Sequence, residues 1–278
     1  MIVSNSVSSY SFCRVADDLV DEATSIAEAE QWIEKLKCFL DLSYPGPKFT
    51  SSIVKDTFIR HNFPPNTQSA LFLLPTSYLS PQPLYDLLDG FKMDLSFSSK
   101  INPFPIDNEE LLEIYGSRVA GTVAESCIEL VYHHTSSSVS EEQKHQIVTA
   151  GHRMGIALQY VNISRDIAVD AANKRVYLPS TWLKEVGLSP EQIIQYPASP
   201  MAERLRQRLL DKAMGIYDEA RGAIEKLPLE ARAPMRVAVE SYVEIGRVLR
   251  NPGYKIKHGR ATVSKIRRLR VARRCLMQ

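Results

Sequence analysis

Cysteine is scarce in this chain of 278 residues, and long apolar runs are missing from it. The four cysteines have no paired CxxC spacing, which excludes a zinc ribbon and a small secreted domain held by disulfide bonds. No stretch approaches the ~20 apolar residues that a membrane span needs, and Met1–Tyr10 lacks the basic start and the apolar run of a secretory signal. We therefore expect a cytoplasmic protein that is not secreted and has no transmembrane segment.

Glycine-rich phosphate-binding loops are also missing, which disfavours a nucleotide kinase or an ATPase. The chain shows no internal repeat and no long flexible linker. Its length would allow one large domain or two smaller ones, and the missing linker favours a single domain over residues 1–278.

The net charge of +2 conceals a segregation of charge along the chain. From Gly253 to the end there are nine basic residues and no acidic ones, so the remaining 25 basic residues stand against 32 acidic ones. This basic tail is typical of a solvated or bundle-capping helix, and it also suits peripheral contact with anionic lipid at ~1 kcal/mol per basic residue. Nucleic-acid binding is disfavoured, because the body is acidic and contains no recognised nucleic-acid module.

Apolar residues follow a helical period almost throughout, and strand signals are thin. Ser140 with Gln143, and more weakly Asp107 with Glu110, predict helix starts through a capping box. The sequence therefore predicts an all-α fold. Its long helical stretches are Leu111–Tyr132, Gln143–Val169, Met201–Leu227 and Pro234–Leu249.

Two carboxylate pairs stand at helical spacing, about 145 residues apart. Asp17 and Asp21 leave one face of a helix with ~5–6 Å between their Cβ atoms, an arrangement that a hard divalent cation would relieve. Taken alone, such a pair is also typical of a solvated helix face. Farther along, Gln159 and Asn162 share one helical stripe with Asp166 and Asp170, and isoleucines flank that stripe. Polar side chains bordered by isoleucine predict a seam that lines a cavity inside a helix bundle.

These two motifs predict a particular chemistry when they face each other across one cavity. Several Mg²⁺ ions between them, together with Arg14 and Arg165, would neutralise a diphosphate and ease its departure as a leaving group. A diphosphate that leaves a carbocation behind is typical of isoprenoid chemistry.

Four segments in order resemble the squalene/phytoene synthase family. They are residues 14–21, 119–123, 159–179 and 260–265, within a resemblance that runs from about Tyr10 to Val271. The amino-acid sequence of these segments is most similar to the synthase half of the fungal bifunctional lycopene cyclase/phytoene synthases. This resemblance implies an all-α isoprenoid synthase bundle with a central cavity. The implied reaction joins two geranylgeranyl diphosphates head to head, through prephytoene diphosphate, to phytoene.

The resemblance also implies roles for individual residues. The implied Mg²⁺ ligands, with Mn²⁺ as an alternative ion, are Asp17, Asp21, Asn162, Asp166 and Asp170. The implied contacts to diphosphate or substrate are Tyr10, Arg14, Gln159, Arg165, Arg260 and Lys265. Tyr115 and Tyr242 match active-site tyrosines, and the ring of Tyr115 would stabilise a carbocation by a cation–π contact. Without the resemblance, both tyrosines would be interpreted as core residues with satisfied hydroxyl groups.

The chain departs from the family pattern at two places. Ala124 stands where many relatives carry glycine, so its methyl group is expected to narrow a cavity wall. Met1–Ser9 replaces a longer helix, so we expect the first helix of the family to be truncated here. Nothing corresponds to the cyclase domain of the fungal relatives, and we expect no cyclase activity.

Three alternatives stay open. The enzyme could use farnesyl diphosphate, as squalene and dehydrosqualene synthases do, or it could cyclise a single diphosphate. The missing first helix also leaves open a catalytically impaired homologue that acts as a scaffold. Squalene synthases reduce their intermediate with NADPH and end in a membrane helix, whereas this chain ends in a basic segment, so no NADPH is expected.

Overall fold

The computed structural model describes residues 2–44, 52–99, 101–135, 139–251, 253–254 and 263–277, with side chains from Ser11 onward. Within these ranges the chain forms helices and no strand, which confirms the predicted all-α fold. In chain order the α-helices are α1 (Ile2–Asp21), α2 (Ile26–Ser43), α3 (Ser52–Asn62), α4 (Pro65–Phe72), α5 (Pro81–Ser96), α6 (Glu109–Gly116), α7 (Thr122–His134), α8 (Glu141–Ala172), α9 (Ser180–Glu185), α10 (Pro190–Gln195), α11 (Pro200–Ala220), α12 (Leu229–Leu249) and α13 (Lys265–Leu276). None of the helices in these described ranges combines the length and the apolarity that crossing a bilayer requires.

The central element of the bundle is α8, whose 32 residues extend ~48 Å. It begins at the predicted capping box, in which Ser140 Oγ accepts from the Gln143 N–H at 3.2 Å and Gln143 Oε1 accepts from the Ser140 N–H at 3.2 Å. The helices α6, α7, α11 and α12 pack around it. The middle of α8 is buried by this packing, with Tyr160 exposed by only 2%.

A π-helix over Ser117–Gly121 interrupts the predicted continuous helix between α6 and α7. There the backbone lies so close to α8 that a Cβ atom built on Gly155 would stand 2.4 Å from the carbonyl oxygen of Ala120. A half-buried chain of polar groups supports this contact, with Ser117 Oγ 2.8 Å from His152 Nε2. The Nδ1 atom of the same histidine lies 3.3 Å from Glu125 Oε2. Both contacts hold the π-helix against α8.

Two predicted helix starts are wrong, one by a single residue and the other by five. The N-cap of α6 is Asn108 instead of Asp107, because the Asp107 carbonyl already accepts from the Thr181 N–H at 2.9 Å. The helix α12 begins at Leu229, so Pro234 lies inside it. The missing N–H of this proline removes one helical hydrogen bond, a loss that the buried face of α12 offsets.

Candidate active site

An elongated cavity of about 740 Å³ runs along α8 between α1, α7 and α12. From Ala150 to Asp170, both of which line it, the axis of α8 rises ~30 Å. The end near Asp170 is lined by carboxylates, amides, arginines and tyrosines. The end near Ala150 is lined by apolar side chains such as Ile128 and Ile224. The shape and polarity suit a long apolar chain with an anionic head.

The first carboxylate pair lies at the polar end, on the last turns of α1. Asp17 and Asp21 both line the cavity. Burial and the nearby charge of Asp21 raise the pKa of Asp17 to about 6. Arg14 lies 3.5 Å from Asp17 and 2.7 Å from Asp18, and Asp18 is not among the residues that line the cavity.

The second motif forms a connected network on α8 and α12. Arg165 donates to both carboxylate oxygens of Asp166, at 2.8 and 2.5 Å, and to the hydroxyl of Tyr242 at 3.3 Å. The Tyr242 hydroxyl donates to the side-chain oxygen of Asn162, whose amide nitrogen donates to Gln159 at 3.1 Å. Each donor and acceptor is thereby oriented before any ligand arrives, which lowers the cost of binding an anion.

Asp170 differs from the other carboxylates of the site. Burial, followed by the charge of Asp166, raises the pKa of Asp170 to about 8. Within the described part of the chain, no hydrogen bond or ion pair reaches its carboxylate. A cation bound beside Asp170 would therefore stabilise its charged form, which burial and Asp166 disfavour.

Three polar residues of the cavity were not predicted as site residues. Asp94 on α5 accepts hydrogen bonds from Tyr177 at 2.7 Å and from Tyr115 at 3.2 Å, and Arg175 donates to Asp21 at 3.3 Å. Burial raises the pKa of Asp94 to about 6, although the hydrogen bond from Tyr177 opposes the shift. Arg175 and Tyr177 stand in a segment that carried the family resemblance, whereas no motif marks Asp94.

A sharp turn after α8 brings Arg175 back to the cavity. Lys174 has a φ of 59°, in the left-handed region that non-glycine residues rarely adopt. The turn lets the Arg175 N–H donate to the carbonyl of Asp170 at 2.8 Å. Backbone strain at this position thus serves to direct a guanidinium toward the first carboxylate pair.

The cavity brings together most of the predicted site residues. Those that line it are Arg14, Asp17, Asp21, Tyr115, Gln159, Asn162, Arg165, Asp166, Asp170 and Tyr242. Lys265 begins α13, is exposed, and is not among the lining residues. Arg260 and the side chain of Tyr10 lie outside the described residues. Tyr115 is a buried residue whose hydroxyl is bonded to Asp94, and it also lines the cavity, so its predicted active-site role stays a prediction.

The oxygen-rich end fits a divalent cation of the Mg²⁺ type. Its donors are carboxylates and an amide oxygen, which hard cations prefer, and the repulsion at Asp170 favours an added positive charge. Among the residues that the structure describes, no three acidic, histidine or cysteine side chains converge tightly enough to enclose an ion. The fit is therefore to an ion that one or two carboxylates hold and that water or ligand phosphates complete, as is usual for Mg²⁺.

The chain is similar to proteins of one family along most of its length. The sequence pattern of squalene/phytoene synthases matches residues 5–267. A bifunctional lycopene cyclase/phytoene synthase of Gibberella fujikuroi is 54% identical over 263 residues, which cover 95% of this chain and 45% of that protein. A protein of the same description from Phaeosphaeria nodorum is 54% identical over 267 residues, covering 96% of this chain and 45% of the relative. The chain thus spans less than half the length of these curated relatives.

The fold has a counterpart among solved structures. A dehydrosqualene synthase crystallised in complex with ligand superposes with a TM-score of 0.72 at 23% identity. The superposition covers 98% of this chain and 84% of the other. At this identity the likeness concerns the arrangement of helices.

Proposed function

This chain belongs to the squalene/phytoene synthase family, and from that premise we propose that it condenses two geranylgeranyl diphosphates head to head to phytoene. The observation that carries the proposal is the single cavity, ~30 Å long along α8, that joins both aspartate motifs at one end to an apolar passage at the other. The names of the fungal relatives support phytoene as the product. The proposed enzyme is a prenyltransferase that needs no reductant.

Three arginines would bind the diphosphate. Arg165 is held by Asp166 and Tyr242 at the second motif, and Arg175 is directed toward the first. Arg14 lies beside Asp17 on α1 and adds a third positive charge. Fixed guanidinium groups stabilise the charge that develops on a leaving diphosphate without reorganising during the reaction.

A divalent metal completes this end of the site. The family generally uses such an ion, and we propose Mg²⁺ ions, with Mn²⁺ as an alternative, each held by one or two carboxylates. The proposed ligands are Asp17, Asp21, Asn162, Asp166 and Asp170. When bound, the metal supplies charge neutralisation that makes the diphosphate a better leaving group. The remaining steps depend on the residues of the chain itself.

The apolar part of the cavity would protect and steer the carbocation. Tyr115 and Tyr177 stack with ring centroids 5.0 Å apart, and both line the cavity. Their faces can stabilise a positive charge by cation–π contact. Their hydroxyl groups are held by Asp94, so neither ring is free to rotate. The surrounding apolar wall, to which Ala124 contributes, limits the access of water that would quench the cation.

The proposal predicts a metal-dependent reaction with a defined product. Purified protein supplied with labelled geranylgeranyl diphosphate and Mg²⁺ is expected to release diphosphate and form a forty-carbon hydrocarbon, measured by chromatography. Adding EDTA is expected to abolish both, and restoring Mg²⁺ or Mn²⁺ to recover them. A thirty-carbon product from farnesyl diphosphate, or a cyclic product, would establish one of the alternative enzymes. No diphosphate release from any prenyl diphosphate would contradict the proposal and favour a scaffold.

The helix α13 supports a second, peripheral partner. Val271 and Cys275 bury one side of it against α12, where Arg267 donates to Glu244 at 2.5 Å. The opposite side, within ~120° of the helix circumference, presents apolar residues between arginines. These outward residues are Ile266, Leu269, Arg270, Arg273, Leu276 and Met277, all of them exposed. We propose that this face contacts an anionic membrane surface, since its charge and apolar side chains complement anionic lipid.

Reversing two charges of this face is expected to weaken vesicle binding. The double variant Arg270→Glu/Arg273→Glu should lower partition into phosphatidylserine vesicles by at least about thirtyfold, because each lost basic residue forfeits ~1 kcal/mol and the added glutamates are repelled by the anionic lipid. Cosedimentation at low and moderate salt measures the effect. Arg204→Glu, an exposed charge reversal on α11, is the control and should bind nearly as the parent protein does. Equal binding by the double variant and the parent would refute the membrane contact.

A further inference from the structure

The apolar end of the cavity is separated from the protein surface by two alanines. A depression of about 410 Å³ opens on the outside between α8 and α11, and its lining includes His145, Thr149 and Glu219. Ala150 and Ala220 line this depression and also line the interior cavity. At this point the wall between the two spaces therefore consists of the smallest side chains that carry a Cβ.

This thin wall lies at the end of the path that a prenyl chain would take. Ala150 is ~30 Å along α8 from Asp170, at the opposite end from the carboxylates. Its neighbours inside the cavity are Ile147 and Gly151 of α8 and Ile224 of the segment after α11. These groups are apolar, so the tail of a chain whose head is held by the carboxylate end would meet the alanines last.

The outer side of the wall can yield. Arg153 bridges Glu113 at 2.6 Å and Glu219 at 4.0 Å across the depression. Its side chain is 38% exposed and that of Glu219 is 76% exposed, and ion pairs in such positions contribute little stability. The rim above the two alanines thus consists of partly exposed, weakly paired side chains and not of packed core.

We propose that the wall formed by Ala150 and Ala220 selects the length of the prenyl chain, by leaving room for the last isoprene unit of a geranylgeranyl group. The inference rests on the proposed function and deepens it. A farnesyl chain is shorter by one isoprene unit and ends before the wall, so its binding does not depend on these two positions. A geranylgeranyl chain extends to the wall and gains the burial of its terminal unit there.

Enlarging Ala150 tests the proposal with a graded series. We expect Ala150→Val, Ala150→Leu and Ala150→Phe to lower kcat/KM for geranylgeranyl diphosphate progressively, by at least tenfold for the largest. Over the same series kcat/KM for farnesyl diphosphate should stay within about threefold, so the ratio of the two constants changes. Ala220→Leu approaches the same point from α11 and should shift the ratio in the same direction.

The control is Thr149→Phe, an exposed neighbour on α8 that lines the depression but not the cavity. It should leave the substrate ratio unchanged. Thermal unfolding of each variant shows whether it folds. If Ala150→Phe does not fold, Ala150→Val still tests the proposal. An equal fall for both substrates, or a ratio that stays constant across the series, overturns the proposal. Parent protein that turns over neither substrate refutes the proposed function instead.

Discussion

Replacing Asp17 with Asn is expected to lower the rate of diphosphate release by about a hundredfold or more, while Asp18→Asn changes it less than about twofold. Asp17 and Asp18 are adjacent on α1, and Arg14 contacts both. Asp17 lines the cavity, whereas Asp18 is not among the lining residues. The two substitutions remove the same charge from the same helix, so they differ mainly in which side of the helix loses it.

Stability separates this loss of activity from a folding defect. Burial and Asp21 raise the pKa of Asp17 in the folded protein to about 6, so the folded state disfavours its charged form at neutral pH. An uncharged amide of the same shape removes that cost, and the free energy of unfolding of Asp17→Asn should therefore not fall. Thermal unfolding and a phosphate-release assay on the same samples measure both quantities. An inactive Asp18→Asn, or a fully active Asp17→Asn, would show that the first motif does not act as we propose.

The second motif could be predicted from the sequence because it is local. Gln159, Asn162, Asp166 and Asp170 all stand on α8, so helical periodicity alone places them in one stripe. The structure keeps that stripe and orients it toward the cavity. The all-α fold was predictable for the same reason, since helical spacing of apolar residues recurs along the chain.

The partners of the motifs could not be predicted from spacing. Asp94 belongs to α5, and it meets Tyr115 and Tyr177 only through tertiary packing, with no pattern in its own segment. The π-helix over Ser117–Gly121 likewise leaves the apolar pattern of a helix unchanged, so the sequence there predicts a continuous helix. Even the N-cap of α6 depends on a backbone hydrogen bond from Thr181, a residue far along the chain. The roles assigned to individual site residues stay predictions.

Adding a methyl group at Gly155, where α8 approaches this π-helix closely, is expected to destabilise the protein. Gly155→Ala would place a Cβ atom 2.4 Å from the carbonyl oxygen of Ala120 and 2.8 Å from the Cα of Gly121. Both obstacles are backbone atoms, so α8 or the π-helix must shift. Overpacking of this kind costs ~1–3 kcal/mol in the free energy of unfolding. We expect the melting temperature to fall by several degrees, as measured by differential scanning calorimetry.

Gly215→Ala is the matched control, because it also replaces a glycine inside a helix. A Cβ atom at this exposed position of α11 meets nothing within 4 Å. It should raise the free energy of unfolding by ~0.5–1 kcal/mol, through the loss of backbone entropy in the unfolded chain. If the free energy of unfolding falls for Gly155→Ala and rises for Gly215→Ala, the cost at Gly155 comes from the close contact and not from helix propensity. Equal stabilisation would show that the two backbones separate easily.

Gly155→Ala is also expected to slow turnover, in addition to lowering stability. Val119 and Ala120 of the π-helix line the cavity, and so does Gly155, so a separation of the two backbones changes the shape of the cavity wall. Assayed well below its melting temperature, Gly155→Ala should release diphosphate more slowly than Gly215→Ala while both remain folded. Parental turnover by a destabilised Gly155→Ala would separate the packing of the π-helix from the chemistry of the cavity. A slowed reaction would instead show that the close contact at Gly155 determines the shape of the cavity.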